Sequence, residues 1–112
     1  MAELPDSVTI FGKRYSIEYK DNPAEVDLYR RQSFWGQVDY WTHSIRIYAP
    51  DGFSGVEILD ALIHEMLHAI AVELKLDLGK DENHDELGLL AMALADTFSR
   101  NGWLVPELVN GR

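Results

Sequence analysis

His64 and His68, with Glu65 between them, form the stretch His64-Glu65-Met66-Leu67-His68 inside an apolar pattern of helical period. Residues four apart stack on one face of a helix. The two imidazoles therefore point the same way and can bind one metal ion together. Glu65 lies about 100° around the helix axis from His64. It can reach a water on that metal without displacing an imidazole. Two neutral nitrogen ligands, a metal that acidifies water and a carboxylate that takes the proton are the parts needed for zinc-assisted hydrolysis. The motif is short, and chance copies occur on solvated helices. Its setting here is Leu59, Leu62, Ile63, Leu67, Ile70 and Leu74, a core stripe. Buried imidazoles and carboxylates need partners, and a metal supplies one directly.

A catalytic zinc takes three protein ligands and keeps one position open. The compact extension that adds a third histidine six residues after the second is absent, because position 74 is Leu74. The remaining candidates are Asp77, Asp81, Glu82, His84, Asp85 and Glu86. With Leu87 as the centre of a second buried helix face, His84 lies about 60° away, Glu86 about 100° on the other side and Asp85 about 160° away. Asp85 then faces water. Asn83 and Glu86 have capping-box spacing, which gives Glu86 a role of its own. The expected metal ligands are His64, His68 and His84, with Glu86 as the alternative third. His43 falls in a turn and is expected to be solvated. Tyr40, Trp41 and Tyr48 read as sheet residues.

These residues need a scaffold, and the rest of the chain supplies one. Val8-Thr9-Ile10-Phe11 and Arg14-Tyr15-Ser16-Ile17-Glu18-Tyr19 flank Gly12-Lys13 as a hairpin, with Tyr15, Ile17 and Tyr19 alternating. Asp21-Asn22-Pro23 breaks the second strand. Residues 24–33 are charged and suit a loop or a short helix. Gly36-Gln37-Val38-Asp39-Tyr40 and Ser44-Ile45-Arg46-Ile47-Tyr48 form a second strand pair, turned by Trp41-Thr42-His43 and ended at Ala49-Pro50-Asp51-Gly52. Ser54 and Glu57 predict a capping box, and Phe53 with Ile58 a hydrophobic staple, for a helix running to about Leu76. Residues 77–83 form a polar connection. A second helix presents Leu87, Leu90, Ala91, Leu94 and Phe98 and stops at Asn101-Gly102. Trp103-Leu104-Val105-Pro106 is expected to fold back as an apolar tail.

The 112 residues suit one α+β domain, residues 1–112, with an antiparallel-rich sheet of three to four strands followed by two packed helices. There are no cysteines, which excludes disulfides and thiolate metal sites. A formal net charge of −9 argues against a nucleic-acid partner; it first suits solubility, with a basic protein partner as the alternative. No signal peptide or membrane span is visible, so a cytoplasmic location is expected.

This order of elements resembles the minimal zincins, the small metallopeptidase-like proteins of phages and prophages akin to minigluzincins and SprT-like domains. The resemblance runs from about Val8 to Phe98. It rests on Gly36-Gln37-Val38-Asp39-Tyr40, Ile45-Arg46-Ile47, the segment Leu62-Ile63-His64-Glu65-Met66-Leu67-His68-Ala69-Ile70, and the stretch from His84 through Leu90-Ala91. It implies a zinc-dependent peptidase with His64 and His68 as ligands and Glu65 as general base, acting on a peptide or protein substrate. If phage-encoded, it would work in the host cytoplasm. In the gluzincin pattern the third ligand is a glutamate on the next helix, which suits Glu86. In the SprT-like pattern it is a histidine near that helix's start, which suits His84, sixteen residues beyond His68. The chain departs from SprT-like proteases in lacking a cysteine zinc ribbon and a basic surface. An extended substrate is expected to add to an edge strand at Ile45 to Tyr48. The alternative is a non-hydrolytic, regulatory binding protein that retains the zincin scaffold and its zinc for stability.

Overall fold

A computed structural model describes residues 4–29, 35–77 and 83–101. The fold is α+β, a four-stranded mixed sheet followed by two packed helices. Strands β1 (Ser7–Ile10) and β2 (Lys13–Lys20) pair antiparallel. Their turn is Phe11-Gly12, both at positive φ, rather than Gly12-Lys13. Two successive positive-φ residues match the twist of a tight hairpin, and Lys13 is thereby freed to pair with Ile10. A one-turn helix α1 (Pro23–Val26) follows, capped by the Asn22 side chain.

Strands β3 (Gly36–Asp39) and β4 (Ser44–Tyr48) form the second antiparallel pair, and β4 lies parallel to β2. The strand order is β1-β2-β4-β3. β4 is therefore an inner strand, and the expected substrate edge at Ile45 to Tyr48 is corrected: both of its sides are paired. Among the described residues the sheet edges are β1 and β3.

Alternation divides the sheet by face. Tyr15, Ile17, Val38, Ile45 and Ile47 point to one side and pack with Ile58, Ala61, Leu62 and Ala69 of helix α2 (Gly55–Leu74). The other side of β3 and β4 carries Gln37, Asp39 and Arg46, all buried. Arg46 donates to Val26 O (2.9 Å), to Gln37 Oε1 (2.6 Å) and to Asp39 Oδ2 (3.2 Å). Asp39 also accepts from Tyr29 OH and from the backbone N–H groups of Trp41 and Thr42. Burial alone would raise the Asp39 carboxyl. The bonds from Tyr29, Thr42, Arg46 and Trp41 outweigh it and hold the group at about 2.

The Ser54 hydroxyl caps α2 by accepting from Glu57 N–H, and Phe53 joins the cluster that contains Ile58. The helix ends at Leu74, earlier than expected, because Lys75 adopts a left-handed conformation and Leu76 N–H bonds back to Ala71 O. Helix α3 (His84–Arg100) then packs against α2. Its buried face is Leu87, Ala91 and Ala95, with Leu94 and Phe98 alongside. Leu90, expected on that face, is 45% exposed. The stripe is centred on Ala91, so Leu90 falls about 100° to its flank. The expected capping box at Asn83 is also absent: its side chain donates to Asp77 O at 3.0 Å instead of capping. The proposed apolar tail lies outside the described residues.

Candidate metal centre

α2 is buried along the sheet and along α3, and its remaining face carries His64 and His68 one turn apart. α3 meets α2 through Leu87, Ala91 and Ala95, with the small Gly88 on the side of the histidines. Gly88 sits beside the His64 ring; a Cβ there would stand 3.8 Å from His64 Cε1. Recentring the buried stripe on Ala91 turns His84, seven residues earlier, to about 20° from the stripe's direction. Its imidazole reaches the α2 histidines from the first turn of α3.

His64 Nε2 lies 3.2 Å from His84 Nε2 and 3.2 Å from His68 Nε2. The ring centroids are 5.0 to 5.3 Å apart. An imidazole Nε2 carries either one proton or one lone pair, so hydrogen bonding satisfies one such contact and not two. Zinc holds imidazole nitrogens at about 2.0–2.1 Å, which at tetrahedral angles places neighbouring nitrogens about 3.3 Å apart. Two of the three pairs match that spacing, and all three ligand atoms lie within 4.8 Å of one another, so the donor set suits such an ion. Among the described residues these three histidines form the sole grouping of three or more histidine, aspartate or glutamate side chains suited to a metal.

The electrostatics suit a cation in one respect and await one in another. Burial, with the neighbouring His68 and His84, lowers His64 to about 4, and burial with His84 lowers His68. Both rings are thus neutral, as ligands must be. Glu65 points to the sheet side of α2, 7% exposed against β3, and its burial raises its carboxyl to about 8. It makes no hydrogen bond among the described residues. Since no polar atom fully shut from solvent lacks a partner there, its oxygens keep an opening to water. A nearby dication would favour the carboxylate form.

The other candidates are placed elsewhere. Asp85 and Glu86 are exposed and outside the cluster. Asp77 lies before the connection and accepts from Asn83 through its backbone carbonyl. Asp81 and Glu82 lie outside the described residues. His43 occupies the β3–β4 turn at positive φ, with its ring against Tyr15. Tyr48 is in β4 and packs with Trp35 and Phe53. Tyr40 and Trp41, expected in the sheet, lie instead in the turn after β3, where Asp39 accepts from the Trp41 N–H and ends the strand; Trp41 is 91% exposed. The sequence reading missed the buried set Gln37, Asp39 and Arg46. Its one signal was an arginine flanked by two buried isoleucines. No helix among the described residues is long and apolar enough to cross a membrane. No family model, curated protein or solved structure matches the chain.

Proposed function

We propose that the chain is a zinc-dependent peptidase of the minimal zincin type, with His64, His68 and His84 as the metal ligands and Glu65 as general base. The observation that carries this reading is the convergence of His84 of α3 on His64 and His68 of α2, the helix that also bears Glu65, with His64 Nε2 3.2 Å from each of the other two. Zinc, when bound, supplies a Lewis acid that polarises a peptide carbonyl and acidifies water. The neutral imidazoles leave their lone pairs free for the ion. Glu65 accepts the proton of the attacking water at a carboxylate oxygen and passes it to the leaving amine. The outer edge of β3, unpaired among the described residues, offers backbone groups to an extended peptide or protein substrate. The acidic surface favours basic segments in that substrate or in a protein partner. We place the protein in the cytoplasm, the host's if it is phage-encoded.

The test is digestion of a peptide library by zinc-loaded wild type and Glu65→Gln, with metal content followed by native mass spectrometry. Wild type should carry one zinc and cleave; Glu65→Gln should keep the zinc and lose cleavage. Equal cleavage by both would refute the general base. The burial of Glu65, which suits a protonated structural group, favours a second reading: a regulatory binding protein that keeps its zinc for stability. Zinc binding by wild type with no cleavage across the library selects that reading.

A further inference from the structure

We propose that Gly36 is a positioning residue for Glu65, a bare patch of strand against which the glutamate arm is laid. A Cβ at Gly36 would stand 2.8 Å from Glu65 Cγ and 3.1 Å from both Cδ and Oε2. Contacts under 3.0 Å to a Cγ are not relieved by swinging the end of a side chain; the whole rotamer must change. Nothing in the backbone asks for glycine here. The positive-φ glycines are Gly12 and Gly52, and Gly36 pairs with Ile47 in ordinary strand register. Its position points to the core face shared with Val38 and Ile47, where strands favour β-branched residues. A glycine inside a strand weakens it. The gap it leaves is filled by Glu65.

This assignment rests on the general-base role of Glu65. A base must sit within hydrogen-bond reach of the proton it takes, and an error of about 1 Å in its placement costs on the order of a hundredfold in rate. Gly36→Ala forces Glu65 out of its rotamer while leaving His64, His68 and His84, on other faces, untouched.

The experiment is a double-mutant cycle of wild type, Gly36→Ala, Glu65→Ala and the double variant, unfolded in urea with chelator present. Alone, Gly36→Ala should lower the urea midpoint by roughly 1 M, the scale of an overpacked site. In the Glu65→Ala background, where Cγ is gone, it should leave the midpoint unchanged or raise it, because alanine stiffens the unfolded chain. Equal shifts in both backgrounds overturn the proposal. Should Gly36→Ala fail to fold, folding of the double variant supports it and failure of both overturns it. In zinc-loaded enzyme, Gly36→Ala should lower kcat about a hundredfold with KM and zinc affinity within threefold; an unchanged kcat overturns the positioning role. A failure of the peptidase reading is separately visible, as wild type that binds no zinc or cleaves nothing, and the urea cycle is readable in either case.

Discussion

Replacing Glu65 by glutamine should stabilise the metal-free protein at neutral pH, and the size of the effect follows from burial. The folded-state carboxyl titrates at about 8 against an ordinary value of 4.5. A folded pKa raised above the unfolded one means that stability is fully present below 4.5 and is lost as pH rises through 8. The loss is at most about 3 kcal/mol at pH 7 and approaches about 5 kcal/mol above pH 9. Those are large fractions of the 5–15 kcal/mol that holds a typical domain together. His64 acts in the opposite sense: its pKa is lowered to about 4, so its contribution is lost as pH falls from 6.5 toward 4. His68, also lowered, acts in the same sense as His64, and both still contribute slightly above pH 6.5. Glu65 is therefore isolated by the difference between wild type and variant, which should widen by about 2 kcal/mol from pH 6.5 to 8.5. Glutamine is close to isosteric and has no charge to desolvate. The assay is urea unfolding of chelator-treated wild type and Glu65→Gln at pH 6.5, 7.5 and 8.5. Wild type should lose stability across the series, and the variant should hold level or rise slightly as the unfolded-state imidazoles of His64 and His68 lose their protons. Saturating zinc should narrow the gap, because a cation near the carboxylate repays its ionisation. Parallel pH slopes for the two metal-free proteins would refute the reasoning.

Zinc affinity, measured by chelator competition, should fall at least a hundredfold in His84→Ala and stay within threefold in Glu86→Gln. The reverse order would move the third ligand to Glu86 and favour the gluzincin pattern. Removing Asp39 leaves Arg46 charged and buried without its carboxylate, so Asp39→Ala should cost about 3–5 kcal/mol and lower Tm by roughly 10–20 °C in calorimetry. A change under about 3 °C would mean that water reaches Arg46.

The local elements were legible because their signals are local. The Ser54–Glu57 cap, the alternation of Tyr15, Ile17 and Tyr19, and the i, i+4 pair His64 and His68 each depend on residues a turn or two apart. What was not legible depends on placement across the chain. Nothing local in Ser44-Ile45-Arg46-Ile47-Tyr48 tells an edge strand from an inner one, because alternation reports the faces of a strand and not its hydrogen-bonding sides. The crossover through α1 sets β4 between β2 and β3 and covers Arg46 with Val26 and Tyr29. Likewise, periodicity put Leu90 inside α3 by hydrophobicity alone. The buried stripe is Leu87, Ala91 and Ala95, and its centre at Ala91 turns His84 toward the α2 histidines. The Asn83 side chain had two uses, and closing the connection onto Asp77 O prevailed over capping.

The buried polar set and the candidate metal centre are joined through β3. Gly36 and Val38 face α2, and Gln37 and Asp39 face Arg46. Arg46 is held at both ends, by Val26 O beneath it and by the two β3 side chains, and Gln37 binds Asp27 in turn (2.8 Å). Moving β3 outward by even 1 Å would stretch several charge-assisted bonds in a site closed to water, where each costs more than on the surface. The strand therefore cannot retreat to admit a larger residue at position 36. The strain of any such residue falls on Glu65, whose side chain is the softer partner. In this way a network on the far face of an edge strand fixes where the glutamate lies on the near face, without touching it.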